Sequence, residues 1–119
     1  MATVTVRHAR GTYPVLIEPG AMRRLGEMAA ERLPGRRIAL VTDEHVAPRL
    51  GAWACPDLGE RRFVLPPGEG TKTRERWAIL TDALLDAGFG RDSAIVAVGG
   101  GVVGDLAGFV AATYLRGIP

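Results

Sequence analysis

The chain has 119 residues, 47% of them apolar and 24% charged, with a formal net charge of +2. These values suit one globular domain with a single core, and they exclude a strong field that would draw the chain to nucleic acid or an acidic membrane. Cys55 is the only cysteine, so no internal disulfide can form, and the N-terminus lacks the basic-then-apolar layout of a signal peptide.

Residues 2–6 and 12–17 alternate or run apolar around Arg10-Gly11, which predicts a two-stranded hairpin. Pro19-Gly20 breaks that pattern. Met22, Leu25, Met28, Ala29 and Leu33 then recur at helical spacing, and Pro34-Gly35 stops the helix. Ile38 to Thr42 reads as a buried strand ending at Asp43, with a short helix expected from Glu44 to about Leu50. Residues 61–65 make the next strand, closed by Pro66-Pro67-Gly68. Thr73 can cap a helix with Trp77, Leu80, Leu84 and Leu85 along one face and Gly88 at its end. Ala94 to Val98 is a continuous apolar run, as expected of a strand covered on both faces. A helix over about 102–115 follows.

After the hairpin, strand and helix alternate. That order predicts an α/β fold, a Rossmann-like parallel sheet with flanking helices. No linker or repeat divides residues 1–119, so they read as one domain. The chain stops at Gly117-Ile118-Pro119, where another strand would normally follow, so the domain reads as truncated. Residues 94–115 also have the length of a membrane span. Asp105 in the middle and three consecutive glycines argue against that reading, because a charge at mid-bilayer is expensive.

In such sheets ligands bind beyond the carboxyl ends of the strands. Three of those ends carry suggestive residues: Asp43, the segment 67–73 with Glu69 and Lys72, and the loop from Gly99 to Asp105. If the three strands are neighbours, these residues share one rim. Gly99, Gly101 and Gly104 satisfy Gly-x-Gly-x-x-Gly between a strand and a helix, where positive φ and close approach of a ligand are open to glycine. The helix start points free N–H groups and its positive dipole end at the loop, which suits a phosphate. Asp105 is expected in the first helical turn, facing hydroxyls or serving only as a charge on the helix dipole. Asp43 could hold ribose hydroxyls or cap the next helix. Glu69 and Lys72 could form a solvated turn. However, Lys72 is the only lysine among fifteen basic residues, and an ammonium is not freely exchanged for guanidinium. His8, His45 and Cys55 form no zinc pattern, and no nucleophilic triad is visible, so neither metal ligands nor catalytic residues are assigned.

The segment Val98-Gly-Gly-Gly-Val-Val-Gly-Asp-Leu-Ala-Gly-Phe-Val-Ala-Ala-Thr-Tyr-Leu-Arg-Gly-Ile118 closely resembles the hallmark of the 3-dehydroquinate synthase family. Pro67-Gly68-Glu69 with Thr71-Lys72-Thr73, and Val41-Thr42-Asp43, resemble its other two nucleotide motifs. The resemblance implies an NAD-dependent lyase of the shikimate pathway, cytoplasmic and homodimeric when complete. It would convert a sugar phosphate, 3-deoxy-D-arabino-heptulosonate 7-phosphate, to 3-dehydroquinate and phosphate. By resemblance, Asp43 binds the adenosine ribose, and Glu69 and Lys72 the nicotinamide side. Gly100 and Gly101 hold the pyrophosphate, Val102, Val103 and Gly104 complete the loop, and Asp105 sits near the nicotinamide ribose. Arg116 matches an arginine for the substrate phosphate, reached across a dimer. The alternative for Arg116 is a helix-end charge with Gly117 as cap.

In that family the zinc or cobalt ligands, one Glu and two His, come from a helical C-terminal domain that these residues lack. The chain alone is therefore expected to be inactive and to bind NAD weakly or not at all. Two alternatives stay open. One is another sugar-phosphate cyclase of valiolone, inosose or amino-dehydroquinate type. The other is a non-catalytic nucleotide-binding or dimerisation module.

Overall fold

A computed structural model of the protein describes residues 2–53 and 61–119; Cys55 lies outside them. The hairpin forms as expected. Strands β1 (Ala2–His8) and β2 (Gly11–Ile17) pair antiparallel from Ala2 opposite Ile17 to His8 opposite Gly11. A single 3-10 turn, Ala21–Arg24, leads into α1 (Leu25–Arg32).

Three strands make the second sheet: β3 (Arg37–Asp43), β4 (Arg61–Leu65) and β5 (Ser93–Ala97). All are parallel, in the order β4-β3-β5. The chain leaves β3 for one flank and returns to the other, so its direction across the sheet reverses at β3. In open α/β sheets that reversal opens a crevice at the strands' carboxyl ends.

Side-chain alternation gives the central strand two buried faces. Ala39 and Val41 join Leu65, Leu80, Leu84, Phe89 and the α4 residues in one core. Leu40 points the other way, to Ala29, Leu50 and Val98. The result is a helix–sheet–helix sandwich on a parallel sheet. The outer strand β5 is less covered than its apolar run predicts: Ile95 and Val96 are half-buried and Ala97 is exposed, because β5 has a paired neighbour on one side only. On its other side the Ile95 N–H donates to the carbonyl of Pro119 at 2.9 Å.

The helix after β3 begins later than the sequence suggests. Asp43 Oδ1 accepts from the N–H groups of His45 and Val46, both at 2.9 Å, and so stabilises a turn in place of a helix. A 3-10 turn, Ala47–Arg49, with Pro48 near its start, then runs into α2 (Leu50–Trp53). Helix α3 (Arg74–Asp86) starts where expected. Thr73 Oγ1 accepts from the Arg76 N–H at 3.1 Å, and Gly88, at φ 80°, ends the segment. Leu80 and Leu84 are buried, but Leu85 is exposed, since one residue is a turn of about 100° off the apolar stripe.

Helix α4 (Gly101–Thr113) buries Val103, Leu106, Ala107 and Val110, the i, i+3, i+4, i+7 spacing of one helical face. It ends two residues earlier than the sequence predicts. Leu115 (φ 47°) and Arg116 (φ 70°) both enter the left-handed region, where the helix cannot continue. The buried Tyr114 anchors this end by donating its hydroxyl to the Phe89 carbonyl at 2.6 Å. Among the described residues no helix is long and apolar enough to cross a membrane.

Candidate functional site

The carboxyl ends of β3, β4 and β5 lie side by side, so Asp43, the 66–73 loop and the glycine loop share one rim. Each is held by identifiable bonds. Asp43 sits half-buried at the end of β3, and its Oδ1 is taken by two backbone N–H groups.

The 66–73 loop is exposed but ordered. Gly68 takes φ 97°, a 3-10 turn covers Glu69–Thr71, and the buried Thr71 donates its hydroxyl to the Pro66 carbonyl at 2.7 Å. This presents Lys72 toward α4, where Nζ lies 2.9 Å from Asp105 Oδ2 and 3.7 Å from Glu69 Oε2. The hydrogen bond and charge of Asp105, then the charge of Glu69, raise the Lys72 pKa above its ordinary value. Three residues singled out in the sequence therefore form one cluster.

The glycine loop differs from expectation in its backbone. None of Gly99, Gly100, Gly101 and Gly104 has positive φ. Their need for glycine must come from space. A Cβ on Gly99 would stand 2.7 Å from Val103 Cγ2, so this glycine lets α4 close on the strand. A Cβ on Gly100, Gly101 or Gly104 meets nothing within 4 Å. The fold does not demand glycine there, and the open volume lies just where α4 begins. The first intrahelical bond of this end runs from the Gly104 N–H to the Gly100 carbonyl at 3.1 Å. The N–H groups of Gly101, Val102 and Val103 precede it and point out of the helix end. Val103 itself is buried. A bare helix start with free N–H groups is a type of site that can accept an anion.

Asp105 falls one residue beyond the first turn of α4, because the helix starts at Gly101 and not at about residue 102. Its position is set against Lys72, not against the helix dipole. Beside the pair is a pocket of about 230 Å³, lined by Lys72, Thr73, Arg74, Trp77, Asp105 and Phe109 among others. Trp77 was legible only as a packing residue, and Phe109 was not singled out. Their rings stand 6.1 Å apart, and the Trp77 indole N–H donates to Thr113 Oγ1 at 2.9 Å.

Arg116 is not part of the cluster. Thirteen helical residues separate the two ends of α4, about 20 Å at 1.5 Å per residue. Arg116 lies at the opposite rim, near Leu115, whose carbonyl accepts from the Arg91 guanidinium. Gly117, at φ 103°, follows it as the C-terminal cap. His8 and His45 are exposed. No three His, Cys, Asp or Glu side chains converge among the described residues.

The family model described as 3-dehydroquinate synthase N-terminal matches residues 62–119, which contain β4, the Lys72 loop and the glycine loop. The 3-dehydroquinate synthase of Desulforamulus reducens is 40% identical over the whole chain, and that of Symbiobacterium thermophilum is 47% identical over 90% of it. Along its length the chain is similar to 3-dehydroquinate synthases. It spans 34% and 32% of those two 3-dehydroquinate synthases, about a third of their length. A solved 2-deoxy-scyllo-inosose synthase, complexed with carbaglucose-6-phosphate, NAD+ and Co2+, superposes with a TM-score of 0.72 at 25% identity. It covers 98% of this chain and 33% of that one. The same fold at the same extent is therefore found in a related cyclase.

Proposed function

We propose that residues 1–119 are the NAD-binding part of a 3-dehydroquinate synthase, acting in the cytoplasm on 3-deoxy-D-arabino-heptulosonate 7-phosphate in the shikimate pathway. The observation that carries the reading is the open space over Gly100, Gly101 and Gly104 at a helix start, beside the Glu69–Lys72–Asp105 cluster. The family relatives named 3-dehydroquinate synthase at 40–47% identity favour this substrate over the inosose type, whose solved relative is 25% identical.

When bound, NAD supplies a reversible hydride acceptor for the substrate hydroxyl. The residues of this chain bind and orient. The N–H groups of Gly101, Val102 and Val103 take the pyrophosphate oxygens, and Gly100, Gly101 and Gly104 let them approach. Asp43 offers Oδ2 to the adenosine ribose. Glu69, Lys72 and Asp105 surround the nicotinamide ribose, with Lys72 balancing the two carboxylates. Arg116, on the other rim, reaches a substrate phosphate only in a second copy of the chain, within a homodimer. No His, Cys, Asp or Glu cluster among the described residues fits a zinc or cobalt ion; its ligands would come from the family's remaining two-thirds.

The test is a chimera in which this chain replaces the matching third of the Symbiobacterium relative. The expected result is phosphate release from the substrate that depends on added NAD. A folded chimera without that activity would overturn the reading.

A further inference from the structure

The glycine loop has no side chains of its own to hold it, yet its proposed task needs a fixed backbone. What fixes it is visible one strand away. The last backbone rung between β3 and the chain leaving β5 runs from the Val98 N–H to the Val41 carbonyl at 2.9 Å. The Val98 carbonyl, immediately before Gly99, is taken by the hydroxyl of Thr42 at 2.7 Å. Thr42 is 0% exposed, and the bond joins positions 56 residues apart. It lies at the reversal of the strand order, between Asp43 and the cradle.

A buried carbonyl without a donor is costly, so this bond is not readily exchanged for one to water. The β-branched side chain suits a central strand and keeps the hydroxyl directed by its neighbours. Oγ1 continues the β3–β5 ladder for one more step, past the point where backbone pairing stops.

We infer that Thr42 is a positioning residue for the nucleotide cradle: its hydroxyl sets the Val98 carbonyl and thereby the course of Gly99–Gly101. The ligand in this inference rests on the NAD reading above; the ordering of the loop does not. Thr42 touches no ligand itself and acts through the backbone.

Thr42→Val keeps the shape and removes the donor, whereas Thr42→Ser keeps the donor and removes a methyl group. Both are compared with the unaltered full chain by amide hydrogen exchange and by NAD titration followed by NMR. In Thr42→Val the amides of 98–101 exchange faster while those of Ala39 to Val41 stay protected, and the Kd for NAD rises roughly three- to tenfold. Thr42→Ser restores both. Leu84→Ala, a core cavity away from the loop, lowers stability without either change. Loop exchange and affinity unaltered in Thr42→Val would overturn the inference. If Thr42→Val does not fold, Thr42→Ser decides: faster loop exchange with the hydroxyl still present overturns it. If the unaltered chain by itself binds no NAD, affinity is read in the chimera with the Symbiobacterium relative, and loop exchange in the chain alone still decides the role of Thr42.

Discussion

Lys72 Nζ stands 2.9 Å from Asp105 Oδ2 across 33 residues of sequence. The contact ties the loop after β4 to the helix after β5, so two motifs far apart in the chain meet through one ion pair. Both partners are exposed, and such pairs add little to stability. Their value lies in where they hold charge.

Asp105→Ala removes both the hydrogen bond and the charge of Asp105, the two largest causes of the raised Lys72 pKa. The expected outcome is a Lys72 pKa that falls toward its ordinary value, with the melting temperature unchanged. Lys72 is the only lysine, so its side-chain NMR signals titrate without overlap from others of its kind. An unchanged titration in the variant would show that Asp105 does not hold the ammonium.

The glycines of the loop separate into two kinds by what surrounds them. Gly99→Ala drives a Cβ to within 2.9 Å of Val103 Cβ, a residue 2% exposed. Overpacking of that kind costs about 1–3 kcal/mol. Gly101→Ala enters open space at the first helical position, where alanine is favoured over glycine by up to about 1 kcal/mol. Urea unfolding should therefore show Gly99→Ala weakened and Gly101→Ala at least as stable as the parent. NAD affinity should drop in Gly101→Ala, because its Cβ fills the proposed pyrophosphate volume. Equal stabilities for the two variants would contradict the packing difference.

Ser93 is a buried group with no visible reason to be polar. It is 0% exposed, and its Oγ has no hydrogen-bond partner. Its backbone is well used: the carbonyl accepts from Arg36 at 3.2 Å. Ser93→Ala keeps that bond and removes the orphaned hydroxyl. The expected gain is about 1 kcal/mol in urea unfolding. A loss on substitution would mean that the hydroxyl has a partner in solution.

The strands of the parallel sheet and the cap at Thr73 were legible because short apolar runs bounded by Gly, Pro and capping residues are local signals. The common rim of Asp43, Lys72 and Asp105 was legible too, once strand and helix alternated. What was not legible depends on distance or on phase. The Thr42 bond to Val98 joins two strands 56 residues apart and leaves no trace in spacing. Asp105 moved from the first to the second turn because a bare glycine, Gly101, opens the helix one residue early. Arg116 lies in a motif with the glycine loop but at the far end of a 13-residue helix, so adjacency in a motif gave no adjacency in space. The late start of α2 followed from Asp43 spending its carboxylate oxygen on a turn.

Tyr114 sets the response to alkali. Burial pushes its phenol pKa up, while its hydroxyl donates to the Phe89 carbonyl at 2.6 Å. The unfolded chain releases this proton near pH 10, and the folded chain holds it longer. Above that pH the unfolded state binds fewer protons, so stability falls as pH rises. Lys72 acts in the same direction. Its raised folded pKa gives a contribution that is complete below its ordinary value and is lost as pH rises through the folded one. Neither group weakens the fold near neutrality. Urea unfolding at about pH 8 and about pH 11 should show the decline only at the higher value. Tyr114→Phe should lose about 1 kcal/mol at the lower pH, with the hydrogen bond gone, and show a shallower decline between the two. An equal decline in Tyr114→Phe and the parent would place the alkaline sensitivity elsewhere than at this tyrosine.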